Sequence, residues 1–325
     1  MTEPKRVLVA LAAVAIVLVS MPASAQVDLT GNWVTRQHED WEERTPGSLP
    51  VDYLGLPLNE DGRARALEYA TARFSLPERQ CYIYQPHYVV VGPPGVRIWS
   101  ETDPVTGHTL AWKIGTPLNN PTITIWMDGR PHPPEGAQHT FAGFTTGEWR
   151  GNTLTAYTTH IKEGYLRRNG VRSSDETTFS LHITRHDDTL TLTVVFYDPV
   201  YLTEPHILSR SLQLQPAGNF TSQLPSPCIV EAELPSLQGD GDVPHYLPGQ
   251  NPFVDEMTKL YNIPREAVLG GAETMYPEYR KWLQGKYVAP DKCARYCCGW
   301  EGQTGGQIVL SLRCISDGTG RIQPR

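Results

Sequence analysis

Positive charge is scarce in this sequence, and no stretch of it is strongly basic. The chain has 28 Lys and Arg residues against 35 Asp and Glu residues, which gives a formal net charge of −7 at pH 7. Proteins that bind nucleic acids neutralise phosphates with clustered Lys and Arg side chains. The acidic balance therefore argues against a nucleic-acid partner.

Signature motifs of three enzyme classes are also missing. The chain has no G-x-S-x-G turn, with which α/β-hydrolases present a nucleophilic serine, and no H-E-x-x-H pair, with which zinc proteases bind their metal. A glycine-rich phosphate loop leads from a strand into a helix, whereas Gly92-Pro93-Pro94-Gly95 is typical of a turn. We therefore predict no nucleotide, metal or other cofactor.

Long hydrophobic runs are missing too, apart from one near the N-terminus. Two basic residues precede the apolar run Val7–Val19, and the small-residue cleavage triplet Ala23-Ser24-Ala25 follows it. This order is typical of a secretory signal peptide over residues 1–25, and the alternative is an uncleaved membrane anchor. The sequence therefore predicts a periplasmic or secreted protein with no stable membrane insertion after signal cleavage.

Cysteine is infrequent, with six residues in the chain. In an exported protein these residues favour disulfides, and we predict a bridge between Cys81 and Cys228, which stand on either side of the strand-rich region. The remaining four form the pattern C-x3-CC-x15-C, which differs from the spacing of zinc knuckles. They are Cys293, Cys297, Cys298 and Cys314. This tail is expected either to form two further bridges or to be a poorly ordered extension.

The distribution of strand, helix and turn patterns divides the chain into five parts. The signal peptide over 1–25 is followed by a β-barrel domain over 26–216 and by a Pro- and Gly-rich linker over 217–250. Residues 251–287 have the pattern of a helical extension, and residues 288–325 are the Cys-rich tail.

Two tight hairpins fix the geometry of the barrel domain. Their turns are Gly151-Asn152 and Asp187-Asp188, and each dipeptide suits a two-residue connection that sets the register of its strands. In the second hairpin, this register pairs Leu181 with Val194 and Phe179 with Phe196, while His182 and His186 fall on the opposite, polar face. An apolar face backed by a polar one predicts an antiparallel sheet with one buried side, in either a closed barrel or a two-sheet sandwich.

The same parity places four polar residues on the apolar face. In the first hairpin, His160 faces Gly143 on the same side of the sheet as Trp149. Asp198 lies two residues after Phe196 and therefore points to the same face. His206 and Arg210 alternate along their strand with outward residues and share the inward face with Leu208, Leu212 and Leu214. Because a buried charge is costly without a partner, we predict one cavity lined by these groups. The proposed catalytic residues are His160, Asp198 and His206, and the proposed ligand-binding residues are Arg210, Tyr165, Glu163, Trp149 and Trp33. The alternative is a barrel mouth at which water solvates the same side chains.

Two further histidines were considered as metal ligands. His132 and His139 lie in a Pro-rich stretch, and a metal site would require a third donor. Strand geometry places His139 about 13 Å along the chain from the residue opposite His160. We therefore predict that His139 and His160 are too far apart to share a metal ion.

The stretch "DLTGNWV" resembles the Gly-x-Trp opening of lipocalin-type barrels through Gly31-Asn32-Trp33. The resemblance covers residues 28–216 at most and implies a mainly β fold: an antiparallel lipocalin-like barrel, here with a helical C-terminal extension. It also implies that Trp33 closes the base of the barrel under an Arg from a late strand, and Arg210 is a candidate for that structural role. The Pro-rich stretch 44–57 departs from the lipocalin pattern.

The chain is also similar to a group of exported bacterial proteins of undefined activity. The similarity rests on "MDGRPHP", "GEWRGNTLTAYTTH" and "YDPVYLTEP", and it implies a periplasmic or secreted barrel without implying a reaction. We therefore expect a barrel that binds a small, partly apolar organic ligand. The alternatives are a periplasmic enzyme that uses the cavity for acid/base chemistry, as a lyase, isomerase or hydrolase, and a structural envelope protein.

Overall fold

The structure is a computed structural model that describes most of the barrel domain and part of the helical extension. The described residues are 27–36, 53–67, 84–91, 95–116, 121–167, 170–215, 250, 252–284, 286, 315–316 and 322–323. The predicted signal peptide, the 217–249 part of the linker, the Cys81–Cys228 bridge and the four tail cysteines lie outside these residues. Those predictions therefore stay predictions.

Nine strands of the described residues form a closed barrel. The strands are β1 (Gly31–Thr35), β2 (Gly95–Thr102), β3 (Thr109–Gly115), β4 (Ile123–Trp126), β5 (Phe144–Arg150), β6 (Thr153–Thr159), β9 (Thr178–His186), β10 (Thr189–Tyr197) and β11 (His206–Gln215). Around the barrel the strands follow chain order, and the pairing of the last strand, β11, with β1 closes the ring. Two shorter strands, β7 (Gly164–Tyr165) and β8 (Arg172–Ser173), pair with each other outside the ring.

One neighbouring pair in the barrel is parallel, so the expectation of a purely antiparallel barrel is wrong. Ile125 of β4 pairs with Thr145 of β5 in parallel orientation. The reason is geometric, because strand directions cannot alternate all the way around a closed ring of nine strands. A parallel pair also needs a connection that returns the full length of the strands, and residues 127–143 provide it.

Both predicted hairpins are present with the predicted register. Trp149 pairs with Leu154 and Thr145 with Thr158, while Leu181 pairs with Val194 and Phe179 with Phe196. These inward side chains belong to one apolar core that also contains Trp33, Ile98, Ile114, Ile125 and Leu212. The sheet therefore closes around a hydrophobic interior, with Thr and charged side chains on its outer face.

The two ends of the barrel differ in chemistry. At the hairpin end, which contains the Gly151-Asn152 and Asp187-Asp188 turns, fully buried Trp33 donates from its indole nitrogen to Leu29 O at 3.0 Å. The guanidinium of Arg185 lies over the Trp33 ring at 5.3 Å and bonds to Asp28 O and Asp187 O. The predicted alternative of Arg210 over Trp33 is wrong, because Arg185 occupies that position.

The opposite end is the polar end, where β10 stops at Tyr197 and β11 starts at His206. The short helices α1 (Glu60–Leu67) and α2 (Tyr88–Val91) lie on this side. Asn59 caps α1, because its side-chain oxygen accepts a bond from the Gly62 amide at 2.9 Å. Its amide nitrogen donates to Val200 O at 2.7 Å, which fixes α1 to the turn after β10.

The C-terminal part that the structure describes is helical. It consists of α3 (Phe253–Tyr261), α4 (Arg265–Leu269), a 3₁₀ turn (Ala272–Met275) and α5 (Pro277–Gln284), followed by the two-residue strands β12 (Ile315–Ser316) and β13 (Ile322–Gln323). Gly270, at the end of α4, lies against the ring of Tyr53. Of the helices described, none has the length and apolar composition needed to span a membrane.

Candidate functional site

The polar end is closed by the segment 84–91, which carries α2. On one side this segment is bonded to the β7–β8 region, since the Gln85 side chain donates to Lys162 O at 2.9 Å and to Ser174 O at 3.2 Å. On the other side α2 contacts β10 and β11. The candidate site therefore consists of segment 84–91 and the side chains of the barrel wall that point toward it.

His206 and Arg210 both lie on the inner side of β11, as strand alternation predicts. They are only 6% and 1% exposed. Pairing with β10 places His206 opposite Phe196 and Arg210 opposite Leu192. Arg210 Nη1 donates to Val90 O at 3.1 Å, so the guanidinium reaches from the barrel wall to the carbonyl end of α2.

Asp198 is fully buried at the same end, but its carboxylate serves as a structural acceptor. It accepts bonds from the Ser174 amide at 2.7 Å and the Ser174 hydroxyl at 2.8 Å, and from the amides of Val200 and Tyr201 at 2.9 and 3.2 Å. Four donors satisfy both carboxylate oxygens and tie β10 to the segment after β8. This arrangement holds the turn in place and leaves Asp198 poorly suited to proton transfer.

The prediction that His160 faces the interior is wrong. His160 follows β6 with a positive φ of 56°, and this left-handed residue turns the chain so that fully buried Ile161 takes the inward position. The His160 ring bonds instead to Thr159 Oγ1 at 2.8 Å and to Pro134 O at 2.9 Å. His160 therefore lies on the outer surface, separated by the barrel wall from His206 and Arg210.

His160 belongs to a histidine cluster under the β4–β5 connection. The ring nitrogens of His132 bond to Thr159 Oγ1 and Thr146 Oγ1, both at 2.8 Å, and these hydroxyls lie on the outer face of β6 and β5. The rings of His139 and His160 are 5.2 Å apart, so the prediction that they are far from each other is also wrong. Among the described residues, no group of three or more His, Cys, Asp or Glu side chains is arranged to hold a metal ion.

Tyr165 and Glu163, two of the predicted ligand-binding residues, lie at the polar end. Tyr165 is 5% exposed, and its ring lies 6.2 Å from that of Tyr84 at the start of segment 84–91. Glu163 is half-exposed and forms an ion pair with Arg172 at 3.5 Å. Tyr165 is therefore part of the packed wall, while Glu163 lies nearer the surface.

The two predicted tryptophans lie elsewhere. Trp149 ends β5 beside the Gly151-Asn152 turn and packs against the core, and Trp33 lies beneath Arg185 at the same end. Both belong to the hairpin end of the barrel. The structure therefore does not bring them together with His206.

His87, which strand alternation does not indicate, is a second buried histidine at the polar end. It is fully buried in segment 84–91, and its ring lies 4.4 Å from that of Phe196, the residue that pairs with His206 across the strands. Its Nε2 contacts Leu166 O at 3.3 Å. Because a carbonyl oxygen only accepts, Nε2 carries the proton and His87 Nδ1 presents a lone pair.

Each of these histidines has a buried ring nitrogen without a hydrogen-bond partner. In the described part of the chain, neither His87 Nδ1 nor His206 Nε2 contacts a donor or acceptor. Buried polar atoms in native proteins are nearly always satisfied, and one that is not deserves a specific explanation. Both atoms lie at the polar end, where Phe196 contacts His87 and pairs with His206, and they make this end the candidate site.

The electrostatics keep both imidazoles neutral. The pKa of His87 is lowered to about 3, mainly by burial; the hydrogen bond to Leu166 O acts in the opposite direction, and the charge of Arg167 contributes to the lowering. Burial likewise lowers the pKa of His206 well below 6.5, with smaller effects in the same direction from Arg167 and His87. Arg167 itself is 5% exposed and donates to Tyr53 O at 3.1 Å. The site therefore presents neutral imidazole nitrogens close to a buried cation.

No protein-family model, no curated protein and no solved structure matches this chain. Neutral nitrogens, a phenyl ring and a guanidinium suit the binding of a small molecule that is partly apolar and partly polar.

Proposed function

We propose that the protein is an exported, lipocalin-like barrel that binds a small, partly apolar organic molecule at its polar end. Export is supported by the signal-peptide pattern of residues 1–25. The lipocalin-like assignment is supported by the closed barrel and by Arg185 over Trp33 at 5.3 Å, which is the pairing that the Gly-x-Trp resemblance leads us to expect.

The observation that carries the proposal is the pair of unpartnered nitrogens, His87 Nδ1 and His206 Nε2, beside Phe196. Leaving a buried polar atom unsatisfied destabilises a fold by about 1–3 kcal/mol. A ligand that bonds to these nitrogens would recover that energy on binding. The phenyl ring and the neighbouring aliphatic core would contact the apolar part of the same molecule.

The buried carboxylate favours binding over acid/base catalysis. A general acid or base must exchange a proton with its substrate, and Asp198 already accepts four hydrogen bonds. Burial lowers the pKa of His206 well below 6.5, so its imidazole is a weak base at neutral pH. The enzyme alternative therefore has no well-placed proton acceptor among the residues first predicted for it.

Native mass spectrometry of the protein purified from the periplasm tests the proposal. We expect the wild type to carry one unchanged small molecule per chain, and His206→Leu to lose it while remaining folded by circular dichroism. His186→Leu is the matched control, because His186 ends the polar face of β9 and its side chain is 91% exposed. Recovery of a chemically altered molecule would favour the enzyme alternative, and wild-type protein without any bound molecule would favour a structural role.

A further inference from the structure

The middle of the β4–β5 connection, residues 127–143, is tied to the outside of the barrel by two histidines. From residue 128 to residue 138 the whole stretch is described and none of it is buried, so it adds nothing to the apolar core. It contains three prolines, which have no backbone N–H to donate. Its hydrogen bonds to the barrel run through the ring of His132 and through Pro134 O, which contacts His160.

The bonds of these histidines form one chain, and the direction of each bond can be assigned. A carbonyl oxygen only accepts, so His160 Nε2 donates to Pro134 O at 2.9 Å, and Nδ1 of the neutral ring accepts from the Thr159 hydroxyl at 2.8 Å. Thr159 has then used its one hydrogen, so its oxygen accepts from His132 Nδ1 at 2.8 Å. His132 Nε2 in turn accepts from the Thr146 hydroxyl at 2.8 Å. With both rings neutral, every bond of the chain is satisfied.

One proton can be added to this chain without the loss of a bond. If His160 Nδ1 takes the proton, it donates to Thr159 Oγ1, and the Thr159 hydroxyl turns its hydrogen toward His132 Nδ1. His132 then carries its hydrogen on Nε2 and donates to Thr146 Oγ1. If the proton binds to His132 Nε2 instead, the bonds of Thr159 keep their direction. Because a hydroxyl both donates and accepts, the two imidazoles share the first proton and titrate as a coupled pair.

A second proton disrupts the chain. Both imidazoles then donate to Thr159 Oγ1, so the Thr159 hydrogen has no acceptor in the chain and two positive rings are bonded to the same oxygen. Like charges this close repel each other. Burial lowers the pKa of His132, and the charge of His160 lowers it further. The doubly charged pair therefore forms only in acid, below the ordinary pKa of histidine, and its repulsion acts on the bonds that hold the connection.

The carboxylates of the connection and of β5 do not neutralise this pair. Asp128 binds Arg130, and Glu148 binds Arg150, each in an ion pair of its own. Glu135 is exposed, and in the described part of the chain it forms no ion pair with an imidazole. Strand β6 carries no carboxylate. The two charges in acid are therefore left without a counter-charge from the strands beneath them.

Neighbouring cations add to the repulsion. The ring of His139 lies 5.2 Å from that of His160, and the ammonium of Lys162 lies 5.2 Å from the ring of Phe141 in the same connection. His139 donates from Nδ1 to a backbone carbonyl after β6 at 3.0 Å, and this bond persists when the ring is protonated. His139 therefore anchors the end of the connection at either pH, and release is confined to the part around His132.

We propose that acid releases the middle of the β4–β5 connection from the barrel: His132 and His160 share a first proton through Thr159, and a second proton detaches the segment. Release removes the His132 ring from the rings of Phe144 and Tyr157, which lie 5.3 and 5.5 Å from it. Acid thus exposes these two aromatic side chains further on the outside of the barrel.

Cleavage by a glutamate-specific protease after Glu135 measures the release. Thr159→Val removes the shared hydroxyl. Thr155→Val is the matched control, because Thr155 lies on the same face of β6 and contacts a different histidine, His182, at 3.3 Å. The proteins are compared at one pH at a time, so the pH dependence of the protease cancels. At pH 7 we expect Thr159→Val to be cleaved at least about tenfold faster than the wild type, since it loses two hydrogen bonds.

At pH 4.5 the wild type should be cleaved within about twofold of the rate of Thr159→Val, because its connection is then released as well. Thr155→Val should match the wild type at both pH values. Equal cleavage of wild type and Thr159→Val at pH 7, or a difference that persists unchanged at pH 4.5, would overturn the inference. Cleavage after Glu148, inside β5, reports unfolding of the whole barrel and is recognised by the masses of its fragments.

The ring nitrogen resonances of wild-type His132 and His160 test the inference without a variant, should Thr159→Val not fold or the barrel unfold in acid. Uptake of the first proton must change both rings together, with His132 either moving its proton from Nδ1 to Nε2 or gaining a second one. Independent titration of the two rings, with His132 keeping its single proton on Nδ1 while His160 becomes charged, would contradict the shared proton and the release that follows from it.

Discussion

At the scale of single residues, the polar end combines satisfied and unsatisfied groups. The carboxylate of Asp198 accepts four hydrogen bonds, while His87 and His206 each keep a nitrogen without a partner in the described residues. The satisfied group stabilises the scaffold, and the unsatisfied ones belong to the proposed binding site. Burial and hydrogen bonding, rather than residue type, separate these roles.

The His87 pKa gives the protein a specific sensitivity to acid. The unfolded imidazole titrates near its ordinary pKa of 6.5 and the folded one near a pKa of about 3, so the unfolded state binds the extra proton between these pH values. Stability is therefore fully present above pH 6.5 and is lost as the pH falls through this window. Between pH 7 and pH 5 we expect His87 to account for a loss of about 2 kcal/mol in the free energy of unfolding.

Urea unfolding of wild type and His87→Phe at both pH values measures this contribution. The variant should lose about 2 kcal/mol less than the wild type on acidification. Identical losses in the two proteins would show that His87 is not held neutral in the folded state.

The role of Asp198 predicts a stability effect. Asp198→Asn removes the charge and replaces one accepting oxygen by a donor that faces other donors, so we expect a loss of about 2–4 kcal/mol in unfolding free energy. Asp188→Asn, in the exposed hairpin turn, is the control and should change stability by less than about 0.5 kcal/mol. An Asp198→Asn protein as stable as the wild type would contradict the structural role and reopen a catalytic one.

At the scale of elements, the attachment of α1 explains a glycine that is otherwise unfavourable in a helix. A Cβ at Gly62 would lie 2.6 Å from Tyr201 O, because α1 packs against the turn after β10. We expect Gly62→Ala to destabilise the protein by about 1–3 kcal/mol, although Ala is the better helix former by about 1 kcal/mol. Thermal unfolding measures this effect, with Gly136→Ala as the control that should leave stability unchanged, because a Cβ there would meet nothing within 4 Å. A Gly62→Ala protein that is more stable than the wild type would show that α1 does not pack as described.

The end of β6 explains why one residue of the predicted site was misplaced. Register from a tight turn carries alternation along a strand only while the backbone stays extended, and His160 leaves that state with its φ of 56°. His206 and Arg210 lie in an uninterrupted strand, so alternation placed them correctly. His87 lies in the irregular segment 84–91, where no periodicity exists to indicate an inward side chain.

The outward position of His160 is itself testable. Left-handed backbone suits Gly and is strained for β-branched residues, so His160→Val should destabilise the protein by about 1–2 kcal/mol more than His160→Gly. Neither variant should change the affinity for a ligand at the polar end by more than about twofold, since the barrel wall separates the two places. A large loss of affinity in a folded His160→Gly protein would contradict this placement.

For the whole molecule, closing the barrel creates two features that local sequence patterns do not indicate: a parallel strand pair and a covered polar end. Hairpin signals predict antiparallel pairs one at a time, and the parallel β4–β5 pair follows only from closing a ring of nine strands. The polar end is a second consequence of closure. The 84–91 segment and the β7–β8 region are far from β11 in sequence, and they meet it only once the barrel has an end to cover.

A crystal structure of the protein as purified from the periplasm shows whether the polar end binds a small molecule. We expect electron density of a non-protein molecule beside Phe196, within hydrogen-bond distance of His87 Nδ1 and His206 Nε2. Density for a single ordered water at these nitrogens, or a ligand bound elsewhere on the barrel, would contradict it.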